Sequence, residues 1–213
     1  MDSRTNVFIS YSRKDSAFAQ QLATALSDAG FALTIDTKDI VAGEPWRDRL
    51  AGLIEASDEI VFLVSPDSVT SEICEWEIAH AEKLGKRILP VVCRATETAA
   101  IPLRLHRLQF TFLTPDSDAA AEIDKLLIAL REDTFWVRLH TALVARAQHW
   151  DAAGRAAHAI LRGQDLSDAE DLVLRRPPKP ATPEIPQVVQ EFITSSRATE
   201  RQERNRLRRT LGL

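Results

Sequence analysis

The sequence predicts an α/β domain with a five-stranded parallel sheet, followed by a helical extension. Five short apolar runs alternate with segments of helical spacing over about the first 130 residues, which is typical of a doubly wound domain. The third run, 59–64, is apolar almost throughout, as expected for a strand that helices cover on both faces. Beyond Asp133, helical spacing continues without further strand-like runs.

Each apolar run is a predicted strand, because its length and its polar or glycine-containing flanks fit a strand better than a helix. The predicted strands are 6–11, 31–35, 59–64, 87–92 and 108–113. Apolar residues at helical spacing predict the helices of this domain. One helix ends at Gly30, one begins at Pro45, one spans 71–84 and one spans 116–132.

The second half of the chain is organised differently. An amphipathic helix runs from Phe135 towards Trp150, and two short helices are predicted at 152–161 and 166–174. Five of the ten prolines lie between 176 and 186, a composition typical of an extended linker. The predicted segments are therefore a domain at 1–132, a helical extension at 133–175, a proline-rich linker at 176–186 and a basic helix at 187–213.

Charge is distributed unevenly along the chain. The net charge of −4 argues against general nucleic-acid binding. From Arg175 to the end there are nine Lys/Arg and four Asp/Glu, so this tail carries +5 and the rest carries −9. Six arginines lie between Arg197 and Arg209. Such a run is either a solvated helix face or a segment that meets an anionic surface.

Composition also indicates a compartment. The two cysteines, Cys74 and Cys93, and the five histidines have no metal-ligand spacing, so no metal site and no disulfide framework are expected. The N-terminus lacks the apolar core of a signal peptide. No apolar run reaches the roughly 18 residues of a membrane span. A cytoplasmic location is the expectation.

Glu77 is the residue that breaks the helical pattern of 71–84. At about 100° per residue it falls inside the apolar arc, between Leu84 and Ala81, whereas Glu72 and Glu75 lie on the opposite side. Burial of a carboxylate raises its pKa and is costly unless a partner or a function compensates. Glu77 is therefore either a functional carboxylate or a member of a structural ion pair.

A set of motifs in order resembles the Toll/interleukin-1 receptor (TIR) domain family, in its bacterial form. The motifs lie at 7–12, 31–36, 39–43, 65–69 and 71–78. The resemblance covers about residues 5–132 and implies the flavodoxin-like TIR fold. The loops beginning at Ser12, Asp36 and Ser65 each follow a predicted strand, so all three can face one cleft at the carboxyl ends of the strands. Phe135-Trp136 is similar to an aromatic pair near the family's end.

This resemblance implies cleavage of NAD at the nicotinamide–ribose bond, with NAD as the substrate and no cofactor. The family's catalytic glutamate closes a Ser-x-Trp-Cys-x-x-Glu pattern, and that position is Glu77 here. Ile73 stands where the pattern has tryptophan. The residues expected to bind substrate are Ser12, Arg13, Asp36, Gly43, Trp46 and Ser65.

The chemistry of this bond needs few protein groups. Nicotinamide already carries a positive ring nitrogen, so it leaves without a general acid, and the ribose develops oxocarbenium character. One carboxylate can stabilise that charge. Arg13 and Lys14 either meet the diphosphate or form a solvated loop. Trp46 either stacks on a flat ring or packs against the core.

Two functional classes remain on this fold. The first is an NAD-cleaving immune or signalling effector that self-associates through TIR–TIR contacts; the second is a non-catalytic adaptor that works by the same assembly. A phosphoreceiver is excluded because Ser10-Tyr11-Ser12 and Ser65-Pro66 replace its acidic residues. A nicotinamide dehydrogenase is disfavoured because no Gly-x-Gly-x-x-Gly follows the first strand. The C-terminal segments also resemble those that lead to further domains or membrane segments, which would then follow Leu213.

Overall fold

The computed structural model describes residues 4–36 and 46–210, and its centre is the predicted parallel sheet. The strands are β1 (Asn6–Ser10), β2 (Ala32–Ile35), β3 (Glu59–Val64), β4 (Arg87–Val92) and β5 (Thr111–Phe112). They are ordered β2-β1-β3-β4-β5 and all neighbours pair in parallel. The predicted fold class is confirmed.

Among the residues that the structure describes, four α-helices cover the two faces of the sheet. They are α1 (Ser16–Asp28), α2 (Trp46–Glu55), α3 (Glu72–Lys83) and α4 (Ala119–Arg131). Val61 and Leu63 of β3 join the core beneath α1 and α4, whereas Ile60, Phe62 and Val64 join the core beneath α2 and α3. This double cover explains why β3 is apolar at successive positions.

The edge strand β5 is shorter than predicted. The sequence predicts a strand over 108–113, but only Thr111–Phe112 pair with β4. Leu108 and Phe110 pack instead against the core beneath α2 and α3. Apolar character in this run therefore reflects core packing as much as strand pairing.

Three further helices form a bundle with its own core. They are α5 (Thr134–Ala152), α6 (Gly163–Leu174) and α7 (Gln187–Thr210). Trp136, Leu143, Trp150, Leu166 and Phe192 are among its buried side chains. Among the described residues, no helix is both long enough and apolar enough to cross a membrane.

The predicted helix at 152–161 is wrong. Gly154 and Arg155 have φ values of 73° and 61°, and consecutive left-handed residues cannot continue a right-handed helix. Ile160 and Leu161 still join the bundle core, so their spacing marks a packed turn. Gly163 begins α6 rather than breaking a helix.

The proline-rich segment 176–186 contains no helix or strand, yet it folds back on itself and is tied to the start of α5. The Arg176 guanidinium donates to the carbonyl oxygens of Pro183 at 2.8 Å and Thr182 at 2.9 Å. The Lys179 ammonium lies 2.8 Å from the Asp133 carboxylate. The segment is therefore a docked connection and not a free spacer. The domain boundaries at 132, 175 and 186 stay a prediction.

Candidate active site

Glu77 is buried on α3 as the helical pattern predicts. The Ser71 hydroxyl begins this helix by accepting from the Cys74 amide at 3.3 Å. Glu77 follows on the face that packs against the sheet, and it is only 5% exposed. The Ser10 hydroxyl, at the end of β1, donates to Oε2 of Glu77 at 2.5 Å. The carboxylate is thus fixed at the carboxyl end of β1.

Its surroundings change the acidity of Glu77. Burial raises the pKa of Glu77 from near 4.5 to about 7, against the lowering effect of the Ser10 hydrogen bond. The Asp36 carboxylate adds to the rise and the Arg13 guanidinium opposes it. Near neutral pH the side chain therefore passes between its acid and its carboxylate form.

Glu77 lies against a narrow pocket at the carboxyl ends of the parallel strands. Among the described residues this pocket has a volume of about 50 Å³. It is lined by Phe8, Ile9, Tyr11, Ser12, Arg13, Asp36, Leu50, Ser71, Ile73, Cys74 and Glu77. The structure therefore brings Ser12, Arg13 and Asp36 together with Glu77. Gly43, also expected to bind substrate, lies outside the described residues.

Asp36 anchors one wall of the pocket. Its backbone oxygen accepts from the Tyr11 hydroxyl at 3.0 Å and from Nη1 of Arg13 at 2.9 Å. Its carboxylate lies 2.8 Å from Nη2 of Arg49 and 3.5 Å from Nη2 of Arg13. Burial raises the pKa of Tyr11. These contacts hold the Arg13 guanidinium beside the pocket.

Ser65 does not line this pocket. Its hydroxyl donates to Oδ2 of the buried Asp15 at 2.6 Å, while Nε of Arg94 donates to Oδ1 of Asp15 at 2.7 Å. Asp67 pairs with Arg94 and, at 2.6 Å, with Lys14. This network tethers the short 3₁₀ turn Arg13–Asp15 to the ends of β3 and β4. Ser65 therefore contacts the turn that carries Arg13 and does not reach the pocket itself.

Trp46 packs against the core beneath α2 and α3 and is not among the lining residues of the Glu77 pocket. Its ring meets that of Trp76 edge-on, with centroids 5.4 Å apart. Trp76 in turn stacks on the His80 ring at 4.9 Å. Of the two readings of Trp46, this geometry matches packing against the core. Ile73 lines the pocket where the family pattern has tryptophan.

Four residues of the site were not predicted as such. Ser10, Tyr11, Ser71 and Arg49 all contact Glu77, Asp36 or the pocket. Ser10 carries a faint signal, because it is a polar residue near the carboxyl end of a mostly apolar predicted strand. Cys74 also faces the pocket, but burial raises its pKa to about 12, so its thiol is not an activated nucleophile.

Comparison with known proteins identifies the domain that carries this pocket. A sequence profile of the TIR domain matches residues 7–127. The chain belongs to the TIR domain family. The matched range of this TIR domain includes every described residue that lines the Glu77 pocket, whereas α5, α6 and α7 lie beyond it.

The TIR domain is similar to those of known receptors. Toll-like receptor 2 of Mus musculus is 28% identical over 146 residues, which cover 65% of this chain and 18% of the receptor. Toll-like receptor 6 of Bos taurus is 32% identical over 110 residues, 49% of this chain and 14% of the receptor. The chain spans less than a fifth of the length of these relatives. The crystal structure of the TIR domain of the Toll-related receptor TRR-2 from Hydra magnipapillata aligns with a TM-score of 0.47 at 23% identity, over 58% of this chain and 94% of that one.

Proposed function

We propose that this TIR domain is an NAD glycohydrolase in which Glu77 is the catalytic carboxylate. The observation that carries the proposal is the buried Glu77 carboxylate, which lines the pocket at the carboxyl ends of the strands and has a pKa raised to about 7. Perturbed carboxylates in pockets are candidates for chemistry. We infer also that copies associate through their TIR domains as signalling effectors.

The proposed reaction breaks the bond between C1′ of the ribose and the nicotinamide nitrogen. The bonding pair leaves with the ring, which becomes neutral, so no proton donor is needed. The positive charge that develops on the ribose is stabilised by the Glu77 carboxylate, a negative group in surroundings of low polarity. Water then adds to C1′ and loses a proton, giving ADP-ribose; capture by a group of the same molecule gives a cyclised product.

Arg13 supports a substrate that carries a diphosphate. Its guanidinium lies at the pocket with Nη1 fixed on the Asp36 carbonyl, and a guanidinium can donate two parallel hydrogen bonds to phosphate oxygens. Arg49 shares the Asp36 carboxylate with Arg13, so the negative charge of that carboxylate is offset within the wall. In this proposal Arg13 binds the diphosphate while Glu77 faces the ribose.

The activity is expected to rise with pH. Only the carboxylate form of Glu77 stabilises an oxocarbenium ion, and its pKa is raised to about 7. The value of kcat/KM should therefore increase through neutral pH, reach half its maximum near the pKa of the free enzyme and level off above about pH 8. Nicotinamide release measured across a pH series tests this. A rate that falls over the same range would assign Glu77 a proton-donating role instead.

The deciding experiment follows nicotinamide release from NAD by the purified protein at high concentration and with a crowding agent. Glu77→Ala and Glu77→Gln should each lower the rate by about 10²–10³-fold, the cost of removing one electrostatic stabiliser of a transition state. Glu72→Gln, an exposed change on the same helix, should leave the rate unchanged.

Two results would contradict the proposal. Release that persists in both Glu77 variants would remove Glu77 from the mechanism. A parent protein that releases no nicotinamide in any assembled state would favour an adaptor that acts through TIR–TIR contacts alone.

A further inference from the structure

The last turns of α7 extend beyond the bundle that holds its first half. Val189 and Phe192 are buried in the bundle core, and the Ser196 hydroxyl accepts from the Leu161 amide at 3.0 Å. Glu203 still pairs with Arg162 of the bundle at 2.6 Å. The side chains described after it, 204–208, are all exposed. We call residues 201–210 the basic arm.

The basic arm is strongly positive, and three of its arginines form a stripe along one side of the helix. It contains five arginines and one glutamate, a net charge of +4 within ten residues. At about 100° per residue, Arg201, Arg204 and Arg208 fall within an arc of about 60°. Leu207 lies beside this stripe and is 63% exposed. It is on the same face of α7 as Val189, which is buried in the bundle core. An arginine stripe with an adjoining leucine suits a surface that is anionic outside and apolar beneath.

We propose that the basic arm binds the protein peripherally to an anionic lipid surface. Charge complementarity carries the choice of partner, because several clustered arginines on a helix are the pattern that anionic headgroups attract. This proposal is independent of NAD cleavage, since it involves neither Glu77 nor the TIR domain pocket.

The reach of the basic arm lets it act in spite of the acidic remainder of the chain. Residues 1–174 carry −9, which an anionic surface would repel. Seven residues of helix follow Glu203, and at about 1.5 Å per residue they span about 10 Å. This exceeds the Debye length of about 8 Å at physiological ionic strength. Salt therefore largely screens the acidic part of the protein where Arg204 and Arg208 of the basic arm meet the surface.

The same features disfavour a nucleic acid as the partner. Single strands are bound by aromatic side chains on which bases stack. From Ile193 to Thr210 the sequence has no aromatic residue. Leu207, exposed beside the arginine stripe, also has no role on a phosphate backbone, whereas it can enter the boundary of headgroups and acyl chains.

The test is co-sedimentation of the full chain with vesicles of phosphatidylcholine alone and with vesicles in which a third of the lipid is phosphatidylglycerol. Binding is expected only to the second kind, and it should weaken as salt rises. A variant with Arg201→Gln, Arg204→Gln and Arg208→Gln should bind about a hundred-fold more weakly, since each arginine near such a surface contributes about five-fold.

A control variant with the same net charge separates a local stripe from overall charge. Arg107→Gln, Arg146→Gln and Arg175→Gln change three arginines that are at least half exposed and lie outside the basic arm. This control should bind within a few-fold of the parent. Equal binding to both vesicle types, or an equal loss in both variants, would overturn the proposal. Tighter binding to duplex DNA than to the anionic vesicles at the same salt, lost in the basic-arm variant, would replace lipid by nucleic acid.

Discussion

Glu77→Gln is expected to raise the free energy of unfolding at about pH 8 by about 2–3 kcal/mol, while it lowers NAD cleavage. The folded protein holds this carboxyl 5% exposed, and burial raises its pKa to about 7 from near 4.5. At a pH above both pKa values, the folded wild type keeps the Glu77 charge buried, whereas in the unfolded chain this charge is hydrated. Glutamine is neutral and can still accept from Ser10, so it removes that cost.

The sign of the pH dependence follows from proton binding. Between the two pKa values the folded state retains a proton that the unfolded state has lost, so wild-type stability falls as pH rises through this window. At about pH 5 the two proteins should differ by less than about 1 kcal/mol. Urea unfolding of both proteins across a pH series measures the difference, and other titrating groups cancel because they are common to both.

Glu72→Gln is the matched control on the same helix. Its side chain is exposed, so its effect on unfolding should be small. If Glu77→Gln instead destabilises the protein at about pH 8, Glu77 is a member of a structural ion pair, the alternative that the helical pattern leaves open. The expected opposition between stability and activity is typical of a residue retained for function.

Periodic features of this protein were predictable because they are local. Residues i and i+3 or i+4 share a helix face whatever lies elsewhere, so the position of Glu77 among apolar neighbours was visible in the sequence. The parallel order of strands followed in the same way from alternating elements and from the continuous apolar run of β3. Both predictions are confirmed by burial and by pairing.

Contacts between distant segments were not predictable. Ser10 and Glu77 are separated by 67 positions, and Asp15 and Arg94 by 79. A serine at the end of a strand or an arginine in a loop has no pattern that selects its partner. The docked segment 176–186 shows the same limit: its prolines predict the absence of a helix, whereas its hydrogen bonds to Arg176 depend on how the chain folds back.

Gly85→Ala is expected to lower the free energy of unfolding by about 3 kcal/mol, because it combines backbone strain with a collision. Gly85 ends α3 with a φ of 62°, a conformation that costs other residues free energy. An added Cβ would lie 2.7 Å from Cε1 of His140 and 3.2 Å from Cγ of Pro186. His140 is fully buried and stacks on the Trp136 ring, so it has no room to move.

Gly154→Ala isolates the backbone part of this cost. Gly154 has a φ of 73° but no atom within 4 Å of an added Cβ, so its replacement should cost about 1 kcal/mol. Urea unfolding of both variants gives the difference, which measures the close approach between the TIR domain and α5. If both variants lose the same free energy of unfolding, then the His140 side chain can move aside and the bundle is not tightly packed against the TIR domain. A larger cost for Gly85→Ala would mean that the turn after α3, about two helical turns from Glu77, is where the bundle packs most closely against the TIR domain.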